Sequence, residues 1–172
     1  MGKLQISYIF KVRKMLEFLP LFLARISIGF FFAVTGFNKL FLVSSKQTIL
    51  NTMISSGIPF PEFHAVFVPL LEMVFGVTLM VGLGASISAL LLIVIMVVAI
   101  FVEAIHKIPM GLDFINWLNW FLYLPEVLYV IILFWIIIMG AGRFSFDNFI
   151  LKNYRKSKQN LLIETKSNFK YL

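Results

Sequence analysis

The sequence predicts an all-α integral membrane protein, a four-helix bundle with both termini in the cytoplasm. Of the 172 residues, 60% are hydrophobic and 13% are charged, whereas an average soluble domain has about 45–50% and 25%. Between Phe63 and Ile105 the only charged side chains are Glu72 and Glu103. One helix over this stretch would be roughly 65 Å long, about twice the 30 Å hydrocarbon core of a bilayer. The chain must therefore fold back and cross the membrane more than once.

The first span is predicted at residues 20–41, where Pro20 suits the first turn of a helix. One face of this helix carries two basic residues and two glycines, in the order Arg25, Gly29, Gly36 and Lys39. Glycines allow a second helix to approach closely, so we expect this face to point into the bundle. Lys39 has an alternative, because a lysine near the end of a span can extend its ammonium group to the membrane edge.

The next two spans are predicted at 63–81 and 85–105. The turn between them, Gly82-Leu-Gly84-Ala-Ser86, places two glycines and a serine between apolar flanks. Glu72 falls near the middle of the first of these spans. An ionisable group there costs roughly 2.5–3.5 kcal/mol even on lenient insertion scales. We therefore expect its carboxylate to face the bundle interior and to have a polar partner.

The last span is predicted at 121–139, with Glu126 in its first turns. Amphipathic rings at Trp117, Trp120 and Tyr123 precede it and are typical of a segment at the membrane interface. The glycines of Gly140-Ala-Gly142 mark its end. This span brings the predicted number to four.

Lysines and arginines predict the orientation, because short loops rich in them stay in the cytoplasm. Residues 1–18 contain four and the chain from Arg143 onward contains seven, whereas each of the two outer loops contains one. Arg25 interrupts the apolar run after 1–18, so we expect an uncleaved segment rather than a signal peptide. The membrane domain is placed at 19–150. The basic tail at 151–172 has two candidate targets, anionic lipid or a cytoplasmic protein.

The candidate site is a cluster of polar residues in or near the membrane. Its members are Arg25, Lys39, Glu72, Glu103, His106 and Glu126. Intramembrane charges usually face inward and pair, and two cations here stand against three carboxylates. The carboxyl group left over can hold a proton for a quinone or a transported solute. The alternative is that these charges only fix helix register. Lys39 is the expected partner of Glu72, and Arg25 competes with it from the cytoplasmic half.

Metal, haem and thiol chemistry are not expected. Glu103 and His106 form an E-x-x-H pair, the spacing found in di-iron bundles, but such sites use two pairs and two further glutamates. Metal binding by Glu103 and His106 is therefore only the weaker alternative. Haem held by two histidines requires them to face each other, whereas His64 and His106 both stand near loops. The chain has no cysteine, so thiol chemistry is excluded.

An ordered set of short motifs resembles the DoxX family of bacterial membrane proteins. The set is Gly36-Phe-Asn-Lys39, Gly57-Ile-Pro59, Glu72-x3-Gly76, Gly82-Leu-Gly84 and Gly140-Ala-Gly142-Arg-Phe-Ser145-Phe-Asp147. The residues that carry the motifs include Gly36, Gly76, Gly142, Ser145 and Asp147. Ser145 and Asp147 can also cap a following helix. The resemblance implies a four-span protein of the bacterial inner membrane. Some family members are associated with oxidoreductase assemblies, including a thiosulfate:quinone oxidoreductase, and others accompany metal-responsive peptide-modification systems.

The function that the resemblance favours is that of a membrane subunit in a redox-linked assembly, with quinone as a candidate ligand. The alternative is a small transporter or scaffold, for example in a metal-stress or peptide-modification system. No nucleotide-binding loop, catalytic triad or complete metal set is present, so the sequence predicts no independent catalysis and assigns no catalytic residue. The expected partners are the lipid bilayer and membrane or cytoplasmic proteins. The net charge of +7 is explained by topology, so nucleic acid is not an expected partner.

Overall fold

The computed structural model describes residues 18–142 and 145–169, and every regular element in these ranges is helical. The chain begins with α1 (Leu19–Phe41), α2 (Val43–Ser55), α3 (Pro61–Val81) and α4 (Ala85–Val102). A short 3-10 helix (Ala104–Lys107) follows, and then α5 (Phe114–Leu122), α6 (Pro125–Met139) and α7 (Phe146–Phe169). The N-terminal segment predicted at 1–18 lies, apart from its last residue, outside the described residues.

Three helices, α1, α3 and α4, are long and apolar enough to cross a membrane. The fourth candidate span is the pair α5 and α6, which is bent by 64° where a single span at 121–139 was predicted. The bend has a local cause, because Pro125 disfavours a helical conformation at Leu124, whose ψ is 124°. α6 has 15 residues and so measures only about 22 Å. It therefore needs α5 or the flanking segments to complete a crossing.

The third span also ends earlier than predicted. α4 stops at Val102, and Glu103 leaves the helix with φ −130° and ψ −53°. His106 then falls in the 3-10 helix. Glu103 therefore does not lie on the membrane-spanning helix α4, although the span predicted at 85–105 includes it, and His106 lies beyond the helix as well.

The closest packing in the bundle joins α1 to α3, and glycines make it possible. A Cβ atom added to Gly36 would lie 2.5 Å from the Pro69 carbonyl oxygen, and one added to Gly29 would lie 2.7 Å from the Gly76 carbonyl oxygen. Both separations are far below van der Waals contact, so the two backbones touch directly. The prediction that the glycine face of α1 meets another helix is confirmed.

The apolar core is built from α1, α3, α4 and α6. Its fully buried side chains include Phe32, Leu79, Leu92, Leu133 and Ile136. The opposite faces carry exposed phenylalanine, leucine, valine and isoleucine side chains, as expected of helices surrounded by lipid.

The two ends of the bundle are named here by their connections. The loop end carries α2 and α5. The turn end carries the turn at 82–84, the start of α1, the end of α6 and the start of α7. Arg25 of α1 contacts Ala141 after α6, and Asp147 of α7 bonds to Gly82 in the turn. The cytoplasmic location of the turn end remains a prediction.

Candidate functional site

Lys39 and Glu72 form an ion pair between α1 and α3. The Lys39 ammonium group donates hydrogen bonds to both carboxylate oxygens of Glu72, at 2.9 Å to Oε1 and 2.7 Å to Oε2. The Glu72 side chain is 2% exposed and that of Lys39 is 31% exposed. The pair thus has one fully buried member and one that reaches the surface of the bundle.

Helix packing explains why these two residues meet. Gly36 holds α1 against the backbone of Pro69 and Met73 on α3. Glu72 lies between these two residues of α3, level with Gly36, and Lys39 stands three residues, about one helical turn, beyond Gly36 on α1. The long side chain of lysine spans this distance. Lys39 bonds inward to Glu72 and does not follow the alternative of a lysine that reaches only for the membrane edge. Arg25, the competing partner, lies elsewhere.

Glu103 and His106 lie away from this pair. Glu103 accepts a hydrogen bond from Lys107 at 2.8 Å, with both side chains about half exposed. This bond, rather than the weaker influence of Glu126, is the main reason that the pKa of Lys107 lies above its usual value. His106 is exposed and lines an open hollow of about 390 Å³ together with mainly apolar side chains. The predicted six-residue cluster is therefore not a single group.

Glu126 begins α6 at the loop end. A carboxylate in the first turn of a helix is stabilised by the helix dipole. Its Oε2 atom is buried and has no hydrogen-bond partner among the described residues. Glu126 is thus a partly buried carboxylate at the loop end, whereas Glu72 is fully buried in the middle of α3.

At the turn end, Asp147 joins α7 to the turn between α3 and α4. Its carboxylate accepts hydrogen bonds from the backbone N–H groups of Gly84 at 2.8 Å and Ala85 at 3.3 Å. Its own N–H group donates to the Gly82 carbonyl at 3.1 Å. The first N–H groups of a helix have no partner within that helix. Asp147 therefore caps α4, whereas the sequence analysis placed it as a cap of the helix that follows it.

Ser145 caps α7 as predicted. Its hydroxyl accepts a hydrogen bond from the Asn148 N–H group at 3.1 Å and donates one to the Gly142 carbonyl at 2.9 Å. The two bonds join the end of the α6 segment to the start of α7. Ser145 thus bonds the start of α7 to the segment that follows α6, and Asp147 bonds it to the turn between α3 and α4.

Arg25 is buried beside this junction. It is 2% exposed and donates a hydrogen bond to the Ala141 carbonyl, and its guanidinium carbon lies 5.8 Å from the centre of the Phe22 ring. A Cβ atom added to Gly82 would lie 2.8 Å from Ser145 Cβ and 2.9 Å from Arg25 Nη1. We call the group formed by Arg25, Gly82, Ala141, Ser145 and Asp147, with the Gly84–Ala85 backbone, the clasp.

The sequence analysis did not foresee the clasp, although a signal for it existed. The predicted topology already placed the start of the first span, the glycine turn and the end of the last span on one side of the membrane. Three motifs with hydrogen-bonding groups were therefore expected at a single end of the bundle. Ser145 and Asp147 were interpreted as caps of the helix that follows them, and bonds to the other two segments were therefore not predicted.

Within the described ranges, no three histidine, aspartate or glutamate side chains come close enough together to hold a metal ion. The apolar helices and their packing define a multi-pass all-α membrane protein. A model of the DoxX family matches residues 20–105, which is half of the chain, and the protein belongs to that family. The motif at 140–147 lies beyond the matched residues. No curated protein and no solved structure matches the chain.

Proposed function

We propose that the protein is a subunit of a redox-linked assembly in the bacterial inner membrane and that the Lys39–Glu72 pair receives a quinone headgroup. The observation that carries this proposal is the asymmetry of the pair, with Glu72 2% exposed and Lys39 31% exposed. The partly exposed lysine can offer a hydrogen bond to a quinone carbonyl. The buried glutamate beside it can exchange a proton with the quinone oxygen.

The chemistry assigned to this chain is binding and proton exchange, without electron transfer of its own. Reduction of a quinone takes two electrons and two protons, so the electrons come from a redox partner in the assembly. Lys39 has a flexible four-carbon stem and can turn from Glu72 to a ligand without a change in the backbone. When it turns, Glu72 loses its counter-ion and its carboxylate oxygens become available to the ligand. Ligand binding is thereby coupled to a change of partner at Glu72.

The experiment is direct binding of a short-chain benzoquinone to the full-length protein purified in a mild detergent. We expect the wild type to bind it, and we expect both Glu72→Gln and Lys39→Met to bind at least tenfold more weakly, a difference of about 1.4 kcal/mol. Lys107→Gln is the matched control, because it removes a lysine from an exposed ion pair at the same end. No binding by the wild type, or equal binding by all four proteins, would overturn the proposal.

The second candidate is a small membrane transporter or scaffold. The same partly exposed pair favours it, because Lys39 can equally receive the carboxylate of a small solute. The two candidates differ in their partners. Gentle purification that retains a redox enzyme or a quinone supports the first. Purification of the protein alone, followed by solute uptake into vesicles that depends on Glu72, supports the second.

A further inference from the structure

The helix α7 has no role in the proposed function, and its surface is unusual for a free helix. It has 24 residues and is about 36 Å long, and its first turn is fixed to the bundle through the clasp. Beyond that turn it is not among the helices that pack extensively against one another in the described chain. The side chains at 149–154 and 156–158 are exposed, so this part of the helix is available for another surface.

One face of α7 is apolar and exposed. Phe146, Phe149, Ile150 and Tyr154 follow the spacing i, i+3, i+4 and i+8, which places them on one side of a helix. Each is between 49% and 67% exposed. Side chains of this kind, exposed in a row, mark a surface that contacts an apolar phase or partner.

Basic residues lie on both sides of that apolar face. Lys152 and Lys156, four residues apart, lie on one side of it, and Lys158 lies on the other. All three are exposed. Asp147, the acidic residue of the first turn, is bonded within the clasp. The helix near the bundle therefore carries large apolar side chains on one face, with Asn153 and Ser157 among them, and positive charge along both edges of that face.

We propose that α7 lies flat on the membrane and binds anionic lipid headgroups through Lys152, Lys156 and Lys158, with Phe149, Ile150 and Tyr154 inserted between the lipids. This pattern is that of interfacial amphipathic helices. The clasp supports a lipid surface as the occupant, because it joins α7 to the ends of membrane-spanning helices. The helix consequently starts at the level of the headgroups. Positive charge at the predicted cytoplasmic face matches the anionic lipids of that leaflet.

The test uses the absence of cysteine from the natural chain. The full-length protein with Ile150→Cys is labelled with an environment-sensitive fluorophore and reconstituted in phosphatidylcholine vesicles, with or without phosphatidylglycerol. Lys152→Cys carries the same label on the opposite side of the helix, since two residues correspond to about 200°. Lys152→Cys also removes one positive charge from the helix. The double variant Ile150→Cys/Lys152→Gln removes the same charge while keeping the label at position 150, and so serves as the matched control.

We expect the label at Ile150 to shift to shorter wavelength and to be quenched by lipid-borne quenchers in phosphatidylglycerol vesicles, several-fold more than the label at Lys152. High salt should weaken this quenching, because it screens the lysine–phosphate attraction. Changing Lys152, Lys156 and Lys158 together to glutamate should abolish it, and changing all three to arginine should preserve it. Helical content and elution volume show that the variants remain folded.

Two outcomes overturn the proposal. The first is a label at Ile150 that stays in water in phosphatidylglycerol vesicles. The second is a label whose shielding rises in proportion to protein concentration, which would identify a protein surface as the occupant. Neither outcome bears on quinone binding at the Lys39–Glu72 pair, so the two proposals fail separately.

Discussion

Among the residues that the structure describes, two charged side chains are buried, Arg25 and Glu72, and the bundle holds them in different ways. Each is 2% exposed. Arg25 donates to the backbone carbonyl of Ala141, which cannot move without a change in the junction between α6 and α7. Glu72 is held by the side chain of Lys39, which is 31% exposed. A charge bonded to backbone is fixed together with the fold, whereas a charge bonded to a long side chain can change partner.

This difference indicates a structural role for the clasp and a functional role for the Lys39–Glu72 pair. The clasp joins three distant segments through hydrogen bonds to backbone groups at 82, 84, 85, 141 and 142, so its loss should lower stability. The Lys39–Glu72 pair joins two helices that glycine packing already holds together. Neutral substitutions that keep its hydrogen bonding should therefore lower activity more than stability.

The largest effect is expected from Gly36→Leu, which removes the packing on which the ion pair depends. The new side chain would begin 2.5 Å from the Pro69 carbonyl oxygen and 2.6 Å from the Met73 nitrogen. We expect a loss of about 3 kcal/mol or more, measured as the yield of monodisperse protein and its melting temperature in detergent. Phe30→Leu is the control, since Phe30 is 60% exposed. Wild-type behaviour of Gly36→Leu would show that α1 and α3 do not touch there.

The next effect is expected from Lys39→Met. It leaves the Glu72 carboxylate buried without its counter-ion, a change that costs about 3–5 kcal/mol when the charge stays ionised. The double variant Lys39→Met/Glu72→Leu should recover most of this loss, because no buried charge remains. Melting temperatures of the two variants check the prediction. A double variant as unstable as the single one would show that Lys39 stabilises the bundle by packing and not by charge.

A smaller effect is expected at the clasp from Asp147→Ala. The change removes the acceptor for the N–H groups of Gly84 and Ala85 and should cost about 0.5–2 kcal/mol, as the loss of a helix cap does. Asn153→Ala, an exposed position on the same helix, is the control. Equal melting temperatures for the two variants would remove the structural role assigned to Asp147.

The smallest effect is expected from Lys107→Gln. Its ion pair with Glu103 is about half exposed, and exposed pairs contribute at most about 1 kcal/mol. Melting temperature and quinone binding should both stay near the wild-type values. A large loss in either would place Glu103 and Lys107 in the site at the loop end, next to Glu72.

Much of the fold was predictable because membrane burial leaves clear patterns. Long apolar runs predicted α1, α3 and α4, and helical spacing predicted the close contact of Gly36. The break in the helix before Pro125 was predictable as well, because proline disfavours a helical conformation at the residue before it. The continuous apolar run nevertheless led to the prediction of a single span at 121–139, across this break.

The candidate site was predictable only in part. The high cost of a carboxylate in mid-membrane and the reach of lysine predicted the pairing of Glu72 with Lys39. The position of Glu103 was not predictable from such a cost, because it depends on the residue at which α4 ends. Glu103 lies just beyond that end and bonds to Lys107. The partner of Asp147 lies more than 60 residues away, and an aspartate at a helix start normally bonds to its own helix. Which backbone groups Asp147 bonds to therefore depends on tertiary packing, which a local sequence pattern does not contain.

The most direct test compares Glu72→Gln with Asp147→Ala for both melting temperature and benzoquinone binding. The amide of Glu72→Gln can still accept a hydrogen bond from Lys39 but carries no exchangeable carboxyl proton. We expect it to melt close to the wild type and to bind quinone at least tenfold more weakly. Asp147→Ala should melt at a lower temperature and, while folded, bind quinone as the wild type does. The reverse pattern, with Glu72→Gln unstable but fully active in binding, would contradict the division of roles between the ion pair and the clasp.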